Sequence, residues 1–123
     1  MTDIKEKYSL EDINWYEKFW KKLIDILKEK YKWHIKLKVS GAWDDFHYVY
    51  PTKLTGGTLS TMLTYKNGKR VVTVMLTIYP DVDDLDEPTD NITVESDNVE
   101  EVAEKLNQFA FKLDEKIREF LKG

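Results

Sequence analysis

Leu59-Ser60-Thr61-Met62-Leu63-Thr64-Tyr65-Lys66-Asn67-Gly68-Lys69-Arg70-Val71-Val72-Thr73-Val74-Met75-Leu76 is the stretch whose reading decides the fold. Two runs rich in β-branched and aromatic residues flank Asn67-Gly68. A two-residue hairpin turn needs positive φ at both central positions, which Asn and Gly tolerate best. The turn fixes the register: Tyr65 faces Arg70, Leu63 faces Val72, Thr61 faces Val74 and Leu59 faces Leu76. Side chains alternate across a strand, so Leu59, Leu63, Tyr65, Val72, Val74, Leu76 and Ile78 share one face. Thr58, Ser60, Met62, Thr64, Val71, Thr73, Met75 and Thr77 share the other. The first face suits a core against helices, and the second is weakly polar and partly open.

Upstream, the pattern alternates again in two shorter runs. Trp33, Ile35, Leu37 and Val39 interleave with His34, Lys36, Lys38 and Ser40. After a turn at Gly41 to Asp45, Phe46, Tyr48 and Tyr50 interleave with His47 and Val49, and Pro51 is expected to end the strand. The aromatic residues of this hairpin are expected to point inward. Gly56-Gly57 reads as a further loop. Ahead of these strands, Ile13, Tyr16, Trp20, Leu23, Leu27 and Tyr31 recur at spacings of three and four, predicting a helix from Ser9 to about Tyr31. Ser9 with Asp12 resembles a capping box. Trp15, Phe19 and Ile26 widen the apolar stripe to about half the circumference, as contact with more than one element requires.

Downstream of Tyr79-Pro80 comes an acidic loop from Asp81 to Asp90, then a short strand at Ile92–Glu95. Asp97 with Glu100 predicts the start of a long C-terminal helix whose stripe is Val99, Val102, Leu106, Phe109, Leu113, Ile117 and Phe120. Glu101/Lys105 and Asp114/Arg118 are favourable i,i+4 pairs. The fold class is therefore α+β: an N-terminal helix, a four- to five-stranded mostly antiparallel sheet and a long C-terminal helix, with both helices on one face of the sheet. With 123 residues, 41% hydrophobic, and neither repeat nor linker, the chain reads as one domain over 1–123, with residues 1–8 frayed.

Composition excludes several classes. The chain has no Cys, hence no disulfide or thiolate chemistry. No apolar run approaches the roughly 20 residues of a membrane helix, and the polar N-terminus lacks a signal peptide's apolar run, so a cytoplasmic protein is expected. Lys and Glu are abundant and Gln is scarce, the bias of heat-adapted proteins, which makes a thermostable chain the expectation. Residues 1–78 carry 14 basic and 9 acidic side chains, and residues 79–123 carry 5 and 14, for a net charge of −4. An acidic chain is a poor general nucleic-acid binder.

The candidate sites are few. The acidic loop departs from the calcium-loop pattern, because the sixth and twelfth positions from Asp81 hold Asp86 and Ile92 rather than Gly and Glu. Asp44, Asp45 and His47 could orient one another, and His34 could join His47 on the outer face, but no nucleophile or oxyanion-hole pattern accompanies them. No nucleotide or cofactor pattern is present, so neither cofactor nor metal is expected and an enzyme is the least supported class. His34, Lys36 and Lys38 form a basic patch within the lysine-rich stretch from Lys28 to Lys38. Met62, Val71 and Met75 make the outer sheet face adhesive. Phe111 lies about 160° from Leu113 in helical projection, among charged residues, where an aromatic suits an interface. The leading expectation is a non-enzymatic binding or adaptor protein acting through protein–protein contacts, with itself in a homodimer or with another protein. The alternatives are an apolar-ligand binder with a cavity between sheet and helices, and a nucleic-acid accessory protein using the basic stretch, a partner not favoured while the aromatics point inward.

Overall fold

The computed structural model describes residues 8–40, 44–81 and 90–122, and for residues 37–40 and 44–46 only the backbone. The Asn67-Gly68 hairpin forms as its residues require: φ is 54° at Asn67 and 76° at Gly68, the left-handed geometry of a tight hairpin turn. It joins β3 (Thr55–Lys66) to β4 (Lys69–Pro80), in the register expected from the turn. β1 (His34–Ser40) and β2 (Asp44–Thr52) extend the sheet on the β3 side, and β5 (Asp90–Ser96) extends it beyond β4. The order β1-β2-β3-β4-β5 is a meander in which every strand pairs antiparallel with its neighbour in sequence.

Both helices lie on the inner face. α1 (Leu10–Glu29) starts at Ser9, whose hydroxyl accepts the Asp12 N–H at 3.1 Å while the Asp12 carboxylate accepts the Ser9 N–H at 3.0 Å. This reciprocal box satisfies two of the free N–H groups at the helix start. The helix ends without Gly. The Tyr31 N–H reaches back to Ile26 O, Trp33 N–H closes on Leu27 O at 2.9 Å, and Lys32 takes the left-handed conformation at φ 63°. Tyr16, Phe19, Leu23 and Leu27 are buried, flanked by half-buried Trp15, Trp20, Ile24 and Ile26, so the wide stripe meets both the sheet and the second helix.

α2 (Val99–Lys122) packs beside α1 and over β5, β4 and β2. Its cap is Asn98 rather than Asp97: the Asn98 side-chain oxygen accepts the Glu101 N–H at 3.1 Å, and Ser96 Oγ accepts the Asn98 N–H. The buried stripe runs Val99, Val102, Ala103, Leu106, Ala110, Asp114 and Ile117, with Phe109 and Leu113 half-buried and Phe120 exposed. Ala103 and Ala110 let the helix approach its neighbours closely, which turns the buried side away from Phe120. The Trp33 indole N–H donates to the Asn107 side chain at 2.9 Å, and Lys22 pairs with Glu100 at 3.0 Å, tying α2 to the connection that leads into β1 and to α1. The expected pairs form: Lys105–Glu101 at 3.0 Å and Arg118–Asp114 at 2.6 Å.

Two expectations about β2 and β3 are corrected. Gly56-Gly57 lies inside β3, and the turn before it is Lys53-Leu54. Gly57 is required by close backbone approach, since a Cβ there would stand 2.1 Å from the Thr77 carbonyl oxygen. The second correction is parity. Among the described side chains of β2, His47, Val49 and Pro51 are buried, and Tyr48 and Tyr50 face outward. Pro51 does not end β2, because the ladder shifts between Val49 and Thr52 and so accommodates a residue with no N–H.

Candidate functional site: the open face of the sheet

With the helices on one side, the other face of the sheet carries no helix among the described residues. Its centre lies on the β3–β4 hairpin. Met62 and Met75 are 50% and 48% exposed, and half-buried Val71 lies beside them. Met62 pairs with Thr73, which makes Val71 and Met75 its two diagonal neighbours on the same face. Polar groups frame this apolar centre towards the hairpin tip: the Thr64 and Thr73 hydroxyls meet at 3.1 Å, Lys66 holds Glu95 at 2.8 Å, and Thr73 also reaches Glu95. The Lys66 ammonium holds the Glu95 carboxyl below its ordinary pKa.

The opposite end of the same face is aromatic. His34 pairs with Tyr50 across β1 and β2, with ring centroids 5.9 Å apart, and Lys36 pairs with Tyr48. Gly56 forms the floor between Tyr50 and Tyr79, because a Cβ placed there would stand 3.3 to 3.4 Å from both rings. Burial pushes the Tyr79 hydroxyl up from its ordinary pKa, with the neighbouring Tyr50, Asp81 and Tyr48 acting in the same direction. The expectation that the aromatics of this hairpin point inward holds for buried Trp33 and is overturned for Tyr48 and Tyr50, the Phe46 side chain lying outside the described residues, and the expected pairing of His34 with His47 fails with it. His47 opposes Leu37, lies on the inner face against Trp20 at 5.7 Å between rings, and has its Nδ1 buried without a hydrogen-bond partner. Burial alone lowers its pKa.

The sequence-derived sites are therefore regrouped. Met62, Val71 and Met75 come together. Phe111, 47% exposed, lies in the helical layer on the other side of the sheet, so it belongs to no patch with them. His34 and Lys36 are exposed on the aromatic end, while the side chain of Lys38 lies outside the described residues, as do those of Asp44 and Asp45 and residues 82–89 of the acidic loop. Among the described residues no group of three or more His, Asp or Glu is arranged to hold a metal ion, and no helix is long and apolar enough to cross a membrane. The inner layer, where an apolar ligand would sit, holds Leu23, Leu27, Leu59, Leu76, Ile78 and Leu106, all fully buried.

One polar cluster escaped the sequence reading. Asp12, buried beneath the start of α1, accepts hydrogen bonds from the Tyr65 hydroxyl and from Arg70 Nε at 2.6 Å, and Glu11 adds a second carboxylate to Arg70 at 3.4 Å. The Tyr65 hydrogen bond is the foremost cause holding the Asp12 carboxyl down at about 2, with Ser9 and Arg70 assisting and burial opposing. Every partner here is a protein group, and the cluster clasps α1 to the hairpin. The Tyr65/Arg70 pairing on the inner face was the signal that could have found it. A second buried carboxylate, Asp114, gives one oxygen to Arg118 and leaves the other without a partner.

No protein-family model, no curated protein and no solved structure matches this chain.

Proposed function

We propose that this chain is a non-enzymatic binding or adaptor protein that acts through protein–protein contacts, and that the apolar centre of its open sheet face meets a second copy of itself. The observation that carries the reading is the diagonal row Val71, Met62, Met75 on a face that no described helix covers. Half-exposed methionines in the middle of a sheet are an adaptable apolar surface, and burying them against a matching face removes that surface from water. The polar frame of Thr64, Thr73, Lys66 and Glu95 gives the patch a rim with charges of both signs, which a two-fold related copy can complement. The cysteine-free, Lys- and Glu-rich composition fits a cytoplasmic, thermostable protein, and that setting is part of the proposal.

The test is light scattering over a concentration series on wild type and Met75→Glu. A wild-type mass that rises to twice that of the chain, together with a folded monomeric variant, supports the reading. A wild type that stays monomeric at every concentration removes the homodimer. Equal association by both proteins removes this face from the contact.

A further inference from the structure

We infer that Met62 and Met75 form a paired oxidation site: a peroxide converts both thioethers to sulfoxides while the chain stays folded, and the change separates two copies of the chain. The separation rests on the homodimer proposed above. The oxidation itself does not.

Three features converge on these two side chains. The first is access without competition. Both methionines are half-exposed, each on a strand that is paired on both sides. The chain has no Cys, so no thiolate competes for the oxidant, and its other methionine is Met1. The second is the neighbourhood. Met75 pairs with Ser60 on β3 and with Thr93 on β5, and Thr73 and Thr77 flank it on the same face of β4. Met62 pairs with Thr73, and Ser60 and Thr64 flank it on the same face of β3. None of these hydroxyl residues is buried. A thioether is a weak acceptor, whereas a sulfoxide oxygen is a polar one that takes hydrogen bonds. The surrounding hydroxyls and open water supply donors, so the sheet accommodates the product without an unpaired buried oxygen. The third is position. The two methionines are diagonal neighbours at the centre of the apolar row, so two sulfoxides make that row polar. A second copy pressed onto it would then strip water from both oxygens instead of from an apolar surface.

The step balances with hydrogen peroxide as the oxidant. The sulfur lone pair attacks one peroxide oxygen, the O–O bond breaks and an S–O bond forms. The proton of the transferred oxygen passes to the departing hydroxide, which leaves as water. Sulfur loses two electrons and the peroxide gains them. A thiol-dependent sulfoxide reductase reverses the change, with the oxygen leaving as water.

The experiment treats dilute, folded wild type with hydrogen peroxide. Peptide mass mapping reads the oxygen added at each methionine, thermal melting reads the fold, and light scattering over a concentration series reads association. Met62 and Met75 are both expected to be oxidised to sulfoxide, within about tenfold of their rate in the urea-unfolded chain. The product is expected to melt cooperatively, and its dissociation constant to rise at least about tenfold. Reductases for both sulfoxide epimers should restore association, which assigns the loss to methionine sulfur rather than to an aromatic ring. Resistance of either methionine in the folded chain overturns the paired site. So does a product without a cooperative melt, because the oxidation would then be damage to the fold. Unchanged association of the fully oxidised protein overturns the separation. A wild type that is monomeric at every concentration before peroxide removes the homodimer and the separation with it, while the oxygen map and the melt still decide the oxidation site.

Discussion

The Tyr65 hydroxyl at the end of β3 donates to the Asp12 carboxylate at the start of α1, 53 positions away in the chain. The same carboxylate caps its own helix and holds Arg70, so one side chain fixes the entry of α1, the tip of the hairpin and the angle between them. Asp12→Ala is expected to cost about 2 kcal/mol or more, the sum of a lost cap and a lost charge-assisted pair, with the partial exposure of Arg70 limiting the second contribution. The measurement is the shift in urea midpoint at constant slope.

The pH dependence of that clasp has a definite sign. Asp12 ionises at about 2 in the folded protein against an ordinary 3.8, so its contribution is fully present above about pH 4 and is lost as the pH falls towards 2. Chemical denaturation of Asp12→Asn should show a shallower loss of stability across that window than wild type. Parallel curves would mean that the carboxylate carries no such linkage.

Gly68→Val should destabilise by about 1 kcal/mol or more, because a β-branched residue resists the positive φ that the turn imposes. Gly57→Ala should cost more still. Its new methyl group would collide with the Thr77 carbonyl in the middle of the sheet, and a shift of the backbone by overpacking costs about 1 to 3 kcal/mol. An unchanged melting temperature for either variant would contradict the geometry at that glycine.

Lys32 offers the opposite experiment. It occupies the left-handed position after α1, where a non-glycine residue is disfavoured by about 1 to 2 kcal/mol. Lys32→Gly relieves that and adds backbone entropy to the unfolded chain, for an expected net gain of up to about 1 kcal/mol. Stability that drops in the variant would show that the lysine side chain contributes more than its backbone costs.

Phe111 and Met75 lie on opposite sides of the sheet, so light scattering can separate them. Phe111→Glu should leave the mass of the associated species unchanged while Met75→Glu lowers it. The reverse result would move the contact to the helical layer.

What was legible in the sequence follows from how many signals spoke for each element. At the β3–β4 hairpin the turn chemistry and the alternation of Leu59, Leu63, Val72, Val74 and Leu76 specify the same register, and the observed ladder agrees pair by pair. In β2 the two parities are nearly degenerate. Phe46, Tyr48 and Tyr50 on one side and His47, Val49 and Pro51 on the other both contain apolar residues, so hydrophobicity alone does not choose. The register with β1 and β3 chooses, and it turns the tyrosines outward. Asp97 and Asn98 are adjacent capping residues, and only the position of Glu101 beneath Asn98 distinguishes them. The capping role of Asp12 could be read locally, but its hold on Tyr65 and Arg70 depends on where α1 crosses the sheet, which no local pattern encodes. The open face was legible as a set of residues, while its division into an apolar centre and an aromatic end required the parity of β2.

The meander also sets the order in which the chain can complete itself. Each strand pairs with one already made, so a chain emerging residue by residue can build the sheet progressively, with short loop closures at its central hairpin. α2 comes after all five strands, and Val102, Ala103, Leu106 and Ala110 supply part of the cover over Val72, Val74 and Leu76. Until those 24 residues are released, the inner face has α1 alone against it. A nascent chain arrested before Val99 would therefore present a half-clad apolar sheet, the condition in which chaperone capture or aggregation competes with folding.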